Sequence, residues 1–149
     1  MIKFHFYKST WRLPFTKIIS RKTNSDYAHC AMEICGLKEP IYQSRLHTGL
    51  NKNKHHHTHP SYTIELPFDR ESDRGKLFIR HMEELVGSKY DIIAAIFGFF
   101  GKKIQIDNRY ICSEVLFEYF KVYKEKIPDL NTNYSPKDII LISFGFEIG

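Results

Sequence analysis

One cysteine stands where a thiolate would be stabilised. From Val115 onward the apolar residues recur at helical spacing with charged residues on the opposite side, so Cys112 falls at the start of a predicted helix. A helix start offers unpaired backbone N–H groups and a partial positive charge, and both favour a thiolate. An imidazole base within reach would make this sulfur a nucleophile. A cysteine at such a position can equally be a small core residue, so only a matching histidine elsewhere supports the nucleophile interpretation.

The histidine that meets this need is His29, in a predicted strand over residues 27–36. Alternation along the strand puts His29 and Glu33 on one face and Cys30 on the other. The next predicted strand, residues 41–46, would form a hairpin with it and bring Gln43 beside His29. The amide oxygen of Gln43 can accept from the imidazole and orient the ring, although it supplies no charge to an imidazolium.

The rest of the pattern predicts an α+β domain in which these elements sit. Residues 2–7 and 62–66 alternate as strands, and helices are predicted at residues 13–19, 74–86, 90–100 and 136–142. A closing strand is predicted at residues 144–148. The predicted buried stripe of the helix at residues 74–86 consists of Leu77, Phe78, Met82, Leu85 and Val86.

Residues 49–61 form a predicted polar loop that carries four histidines, His55, His56, His57 and His59. Adjacent side chains on a loop do not converge on one ion without support, and no nearby cysteine or clear carboxylate completes a site. We therefore expect a solvated loop that picks up stray divalent ions, with no specific metal site and no cofactor.

Size and charge limit the classes of function. The chain has 149 residues, of which 42% are hydrophobic and 15% aromatic, and this is enough for a single domain over residues 1–149. Its net charge is +5, but the basic residues are scattered, so nucleic-acid binding is not expected. A basic surface would suit anionic cell-wall polymer or anionic lipid. The three cysteines lack disulfide or metal spacing, which favours a reducing compartment.

The sequence predicts neither a signal peptide nor a transmembrane helix. Residues 1–7 contain no apolar run of the needed length, and the longest apolar run, residues 92–100, is too short to span a bilayer. The expected location is cytoplasmic or phage- or virus-associated, and the oligomeric state is left open.

Short motifs follow one another in a distinctive order along the chain. They are the His29 strand, Ile41-Tyr42-Gln43-Ser44, Gly87-Ser88-Lys89-Tyr90-Asp91, Cys112-Ser113-Glu114 and Ser135-Pro136-Lys137-Asp138. This order resembles the circularly permuted branch of the NlpC-type papain-like superfamily, which includes the YiiX-like proteins and the lecithin:retinol acyltransferase group. Three features depart from that pattern: the third polar position, commonly Glu or His, is Gln43 here, the loop before His29 carries Ser-Asp-Tyr-Ala rather than Ser directly, and the histidine-rich loop has no counterpart.

The resemblance implies a papain-like α+β fold, with an antiparallel sheet packed against helices and the nucleophile at a helix N-terminus. It implies Cys112 as nucleophile, His29 as base and Gln43 as the third polar residue. The oxyanion would be held by the Cys112 backbone N–H and by a tyrosine hydroxyl. The candidate tyrosines are Tyr27 and Tyr90, and the supporting residues are Ser113 and Glu114.

The implied function is a thiol hydrolase of the amidase or peptidase type, acting on cell-wall peptide or a similar amide through an acyl-enzyme. One alternative is a lipid acyl hydrolase or acyltransferase with peripheral membrane contact, for which residues 92–100 are the local support. Another is a catalytically silent binding protein, which Gln43 in place of a charged residue would suit. An activated Cys112 should react fast with a thiol probe near neutral pH, and Cys30 and Cys35 should not.

Overall fold

The computed structural model describes residues 1–8, 26–56, 58–91, 109–123 and 136–145. Within these ranges the chain is α+β, with a five-stranded antiparallel sheet, a short parallel strand pair and three helices. This confirms the predicted class. The strands of the large sheet are β1 (Ile2–Lys8), β2 (Tyr27–Ile34), β3 (Ile41–Arg45), β4 (Gly49–Asn53) and β5 (Tyr62–Leu66), in the spatial order β4-β3-β2-β1-β5.

Strand β4 corrects the prediction of a polar loop over residues 49–61. It pairs with β3 along its whole length, from Ile41↔Asn53 to Arg45↔Gly49, and forms one edge of the sheet. An edge strand can present polar side chains to water, so its asparagines and lysine do not oppose strand formation. Gly49 enters the strand with a φ of 65°, a conformation that favours glycine. A Cβ atom there would lie 2.1 Å from the carbonyl oxygen of Ser88.

The two faces of the sheet differ in chemistry. The core face is apolar, and its Phe4, Phe6 and Met32 side chains are fully buried in the hydrophobic core. The polar face carries ionisable and amide side chains, among them His5 and Gln43, both of them buried. The alternation predicted for β2 is confirmed on the core side. The sheet thus presents one face for packing and another that can hold polar groups in fixed positions.

Helix α1 (Asp73–Leu85) lies close to the predicted range. The hydroxyl of Ser72 caps it by accepting from the Gly75 N–H at 3.0 Å. Phe78 and Met82 are buried as predicted, but Leu77 is 62% exposed, so its assignment to the buried stripe is wrong. Phe78 and Met82 are four positions apart and share the buried side of the helix. Leu77 precedes Phe78 by one position and is therefore rotated from that side by about 100°.

Two further helices follow, α2 (Cys112–Tyr123) and α3 (Pro136–Ser143), and both confirm the sequence prediction. Helix α2 packs against the core face, where the rings of Tyr119 and Phe120 meet Phe4 edge-on at 5.7 and 5.6 Å. The Tyr119 hydroxyl also donates to the Pro67 carbonyl at 2.7 Å. Such aromatic pairs fix the position of the helix relative to β1.

The segment after α1 joins the edge of the sheet. The Leu50 N–H donates to the Ser88 carbonyl and the Gly87 N–H donates to the Leu50 carbonyl, both at 2.8 Å. Strand β6 (Lys89–Tyr90) then pairs in parallel with β7 (Arg109–Tyr110). The predicted helix at residues 90–100 is therefore wrong at Tyr90, which lies in a strand because it pairs with β7.

The remaining predictions fall wholly or partly outside the described residues. These are the helix at residues 13–19, residues 92–100 and the closing strand at residues 144–148, of which residues 144–145 form a turn. Among the residues that the structure describes, no helix has the length and apolar character needed to cross a bilayer.

Candidate active site

Cys112 is the first residue of α2, as the sequence predicts. Its exposed fraction is 9%, so the sulfur is largely shielded from water. The Glu114 carboxylate reaches back and accepts the Ile111 N–H at 2.8 Å, in the manner of a capping box. The helix start is thus held by its own third residue, and the Cys112 N–H has no partner within the helix.

The sulfur of Cys112 lies near the part of β2 that is no longer paired with β3. The β2–β3 ladder pairs only Met32↔Tyr42 and Glu33↔Ile41. The Ile34 N–H donates to the Pro40 carbonyl on the β3 side, and every second N–H along the strand points the same way, including that of Cys30. Beyond the end of the ladder, the Cys30 N–H is one of the groups that lower the pKa of the Cys112 thiol. The nucleophile candidate therefore lies beside the strand at the point where β3 leaves it.

His29 and Gln43 meet on the polar face, as predicted. Nε2 of His29 lies 3.2 Å from Oε1 of Gln43, and Nε of Arg45 donates to the same oxygen at 3.0 Å. A guanidinium can only donate, so it requires the amide oxygen rather than the NH2 group at this point. His29 must then carry a proton on Nε2, which leaves the lone pair of Nδ1 available to act as a base. Arg45 thereby sets the tautomer of His29 through Gln43.

The environment of Cys112 favours its thiolate. The Cys30 thiol donates a hydrogen bond to the sulfur, and this bond lowers the pKa of Cys112 well below that of an ordinary thiol. Burial opposes the shift, and the His29 side chain lowers the pKa further through a hydrogen bond and its charge. For Cys30, burial and the adjacent Cys112 sulfur both raise the pKa. Cys30 therefore keeps its proton and can stabilise the Cys112 anion.

The two candidate tyrosines lie in different surroundings. Burial raises the pKa of Tyr90, and the nearby Cys112 thiolate would raise it further, so its hydroxyl stays protonated. The ring of Tyr27 packs instead against Phe6 at 5.7 Å and Tyr62 at 6.3 Å. Of the two, Tyr90 is thus the better candidate to donate to an oxyanion.

The two supporting residues follow the nucleophile candidate in the first turn of α2. Ser113 is buried. Burial raises the pKa of Glu114 to about 7, while its hydrogen bond from Ile111 lowers it and the nearby Asp91 and Cys112 raise it. A carboxyl with this pKa is partly protonated near neutral pH, which weakens its repulsion of a thiolate.

Two residues of this cluster were not identified from the sequence, Cys30 and Arg45. Strand alternation places Cys30 and His29 on opposite faces of β2. Residues on opposite faces are expected to have different partners, so the sequence offered no reason to link both of them to Cys112. At the end of a ladder this expectation fails. Arg45 carried a readable signal, since it stands two residues after Gln43 on a predicted strand and therefore on the same face.

A second polar cluster lies elsewhere on the polar face. His56 of the histidine-rich segment lies against Glu33 and His5, and its Nε2 is 3.6 Å from Oε2 of Glu33. The expectation that no carboxylate lies near these histidines is therefore wrong, because strand pairing brings Glu33 to a residue 23 positions later in the chain. These three side chains are the described residues that could hold a metal ion.

No protein-family model matches the chain, and no curated protein matches it.

Proposed function

We propose that this protein is a cysteine hydrolase of the amidase or peptidase type that works through an acyl-enzyme. The observation that carries the proposal is that Nε2 of His29 lies 3.2 Å from Oε1 of Gln43, while the same imidazole lowers the pKa of the Cys112 thiol. A nucleophile, a base and a group that orients the base are the three parts that such chemistry needs.

The first step is proton transfer from Cys112 to Nδ1 of His29. Hydrogen bonds from the thiol and the N–H of Cys30 stabilise the resulting thiolate, and the imidazolium balances its charge. Gln43 orients the ring but adds no negative charge, so the hydrogen bonds at the sulfur take a larger share of the stabilisation. Stabilisation of the thiolate by Cys30 would explain why the third polar residue can be the amide Gln43, whereas the superfamily that the sequence resembles commonly carries Glu or His there.

The thiolate then attacks an amide or ester carbonyl, and a sulfur–carbon bond forms as the carbonyl oxygen becomes an oxyanion. The Cys112 N–H at the start of α2 and the Tyr90 hydroxyl are the donors available to that oxyanion. The oxyanion re-forms the carbonyl and the bond to the leaving group breaks. That amine or alcohol takes the proton from Nδ1 of His29.

Water completes the cycle. His29, now neutral, removes a proton from a water molecule, which attacks the thioester carbonyl. The carbon–sulfur bond breaks, and the released sulfur regains a proton from the imidazolium. The products are a carboxylic acid and the free enzyme, so the cycle requires no cofactor.

The proposal includes the permuted NlpC-type papain-like fold. Its support is the order of the motifs in the sequence, together with an antiparallel sheet that packs on the helix begun by Cys112. The lipid-acyl alternative rests on residues 92–100, which lie outside the described residues. The silent-binder alternative rests on the missing charge at Gln43, and a thiol probe that leaves Cys112 unlabelled near neutral pH would favour it.

The experiment uses a generic activated ester, p-nitrophenyl acetate, and intact-mass spectrometry. We expect a burst of about one equivalent of p-nitrophenol and a transient acetyl group on Cys112. Cys112→Ser should lower the acylation rate on the order of 1,000-fold or more, because a serine at this pH supplies almost no anion. Cys35→Ser is the matched control, since Cys35 is another free thiol, in the turn that follows β2, and its loss should leave the rate unchanged.

Acetylation of Cys35 or of lysines in place of Cys112, or an unchanged rate in Cys112→Ser, would refute the hydrolase proposal. A stable acetyl-Cys112 that turns over only with an added amine or lipid acceptor would identify an acyltransferase instead. Liposomes and short peptides offered as competing substrates then separate the lipid and peptide classes.

A further inference from the structure

Three donor atoms converge on the polar face of the sheet, away from Cys112. Nε2 of His5 lies 2.8 Å from Oε2 of Glu33, and Nε2 of His56 lies 3.6 Å from the same oxygen. The three ligand atoms all lie within 4.8 Å of one another, and no other trio of His, Cys, Asp or Glu in the described part of the chain does so. In particular, Cys30, Cys112 and His29 do not form such a trio.

These separations suit a tetrahedral ion. With zinc–nitrogen and zinc–oxygen bonds of about 2.0–2.1 Å, two ligands of a tetrahedral site lie about 3.3 Å apart. The observed 2.8 and 3.6 Å fall on either side of this value. Two imidazoles and one carboxylate form a ligand set that zinc uses with a water molecule in the fourth position.

The outer nitrogens of both rings are already held. Nδ1 of His5 lies 2.9 Å from the Thr63 hydroxyl, and Nδ1 of His56 contacts the Tyr7 hydroxyl. A hydroxyl can accept the Nδ1 proton that a histidine carries when its Nε2 binds a metal. Both rings therefore present Nε2 inward with the second partner that metal-bound histidines characteristically have.

Two of the three ligands lie on paired strands of the sheet, and two of them are partly exposed to solvent. His5 and Glu33 stand on paired strands, β1 and β2, and His56 arrives from the segment after β4. The side chain of His5 is 5% exposed, whereas those of His56 and Glu33 are 22% and 24% exposed. An ion can thus enter from the side of His56 and keep a water molecule there.

We propose that His5, Glu33 and His56 form a binding site for a divalent transition-metal ion of the zinc type. The ion links the histidine-rich segment to the polar face of the sheet. Tyr7 connects this site to the other cluster, because its ring lies 6.0 Å from the ring of His56 and 5.5 Å from that of His29. The proposal is independent of the hydrolase activity.

The test uses the full chain with Cys112→Ser, so that the reactive thiol does not compete for metal, after removal of ions with a chelator. Zn²⁺ is titrated calorimetrically, and Co²⁺ is used as a visible probe. We expect one equivalent with micromolar or tighter affinity, and tetrahedral Co²⁺ bands without thiolate charge transfer. Glu33→Gln and His56→Ala should each weaken binding at least about 100-fold, because each removes one of three protein ligands.

His55→Ala is the matched control, because His55 is an exposed histidine one position earlier and should not affect binding. Circular dichroism establishes that each variant is folded. Equal losses from His55→Ala and His56→Ala would show that the segment only collects stray ions. That result, thiolate charge transfer to Co²⁺, or absence of binding at one equivalent would overturn the proposal.

Discussion

Two histidines on neighbouring strands of one sheet are oriented in different ways. His5 lies where β1 and β2 are paired, and it meets a carboxylate, Glu33, from the same face. His29 lies where the β2–β3 ladder has ended, and it meets a neutral amide, Gln43, and a sulfur that also contacts Cys30. An intact ladder gathers side chains from one face only. A ladder end lets backbone and side-chain groups from both faces reach a single atom.

The electrostatic difference is equally clear. The His5 cluster contains a carboxylate and suits a cation. In the His29 cluster the cation Arg45 donates to Gln43, and the group whose anionic form is favoured is the Cys112 thiol. The carboxylate beside His5 thus favours a bound cation, whereas the groups around His29 favour a negative charge on sulfur. The difference arises because one imidazole meets a carboxylate and the other a neutral amide.

The largest expected effect separates the two histidines directly. His29→Ala should slow alkylation of Cys112 by iodoacetamide at pH 7 on the order of 100-fold, because both a hydrogen bond and a positive charge are lost from the thiolate. His5→Ala should leave the rate within about twofold, because its partners are Glu33 and Thr63. Second-order rate constants from the labelled peptide give the comparison, and equal slowing in both variants would contradict it.

A smaller effect is expected from Cys30→Ala, which removes the thiol donor but keeps the backbone N–H. Loss of a hydrogen bond to an anion favours the neutral thiol, so the pKa of Cys112 should rise by about one unit. The pH–rate profile of alkylation should move to higher pH by that amount, with rates about tenfold lower on its acid side. Cys30→Ser restores a donor and should return the profile toward that of the native chain. No displacement in Cys30→Ala would mean that this thiol does not support the anion.

The smallest effect is expected at Gln43 and tests whether its neutrality matters. Gln43→Leu removes the hydrogen bonds that the amide oxygen accepts from His29 and Arg45. The one from His29 bears on acylation and is worth about 0.5–1.5 kcal/mol, so acylation should slow by up to about tenfold. Gln43→Glu keeps an acceptor for His29 and Arg45 and makes the site resemble that of His5. We expect it to stay nearer the native rate than Gln43→Leu, as measured in the ester assay at saturating substrate. A larger loss in Gln43→Glu than in Gln43→Leu would contradict an orienting role.

The sequence predicted the helix and strands that carry the site better than it predicted the contacts between them. Helical spacing after Val115 located the start of α2 at Cys112, and strand alternation placed His29 and Gln43 on one face. Both patterns repeat locally and can be read from a few residues. The polar composition of β4 concealed a strand, since edge strands need no apolar alternation.

Long-range packing accounts for what the sequence did not show. Glu33 and His56 are far apart in the chain, and only the pairing of β1 with β2 and the return of the chain after β4 bring them together. The contribution of Cys30 depends on where the β2–β3 ladder ends, which depends on how α2 packs. No local pattern contains that information.

Gly49 shows how a residue without a side chain can determine the path of a neighbouring segment, here the one that leads from Ser88 to Tyr90. The chain carries Tyr90 past β4 so closely that the Ser88 carbonyl occupies the space where a methyl group on residue 49 would lie. An alanine there would push Ser88 outward and displace Tyr90, which follows two residues later. In a saturation-mutagenesis survey, this position would be as intolerant as we expect Cys112 to be, yet because of steric clearance alone.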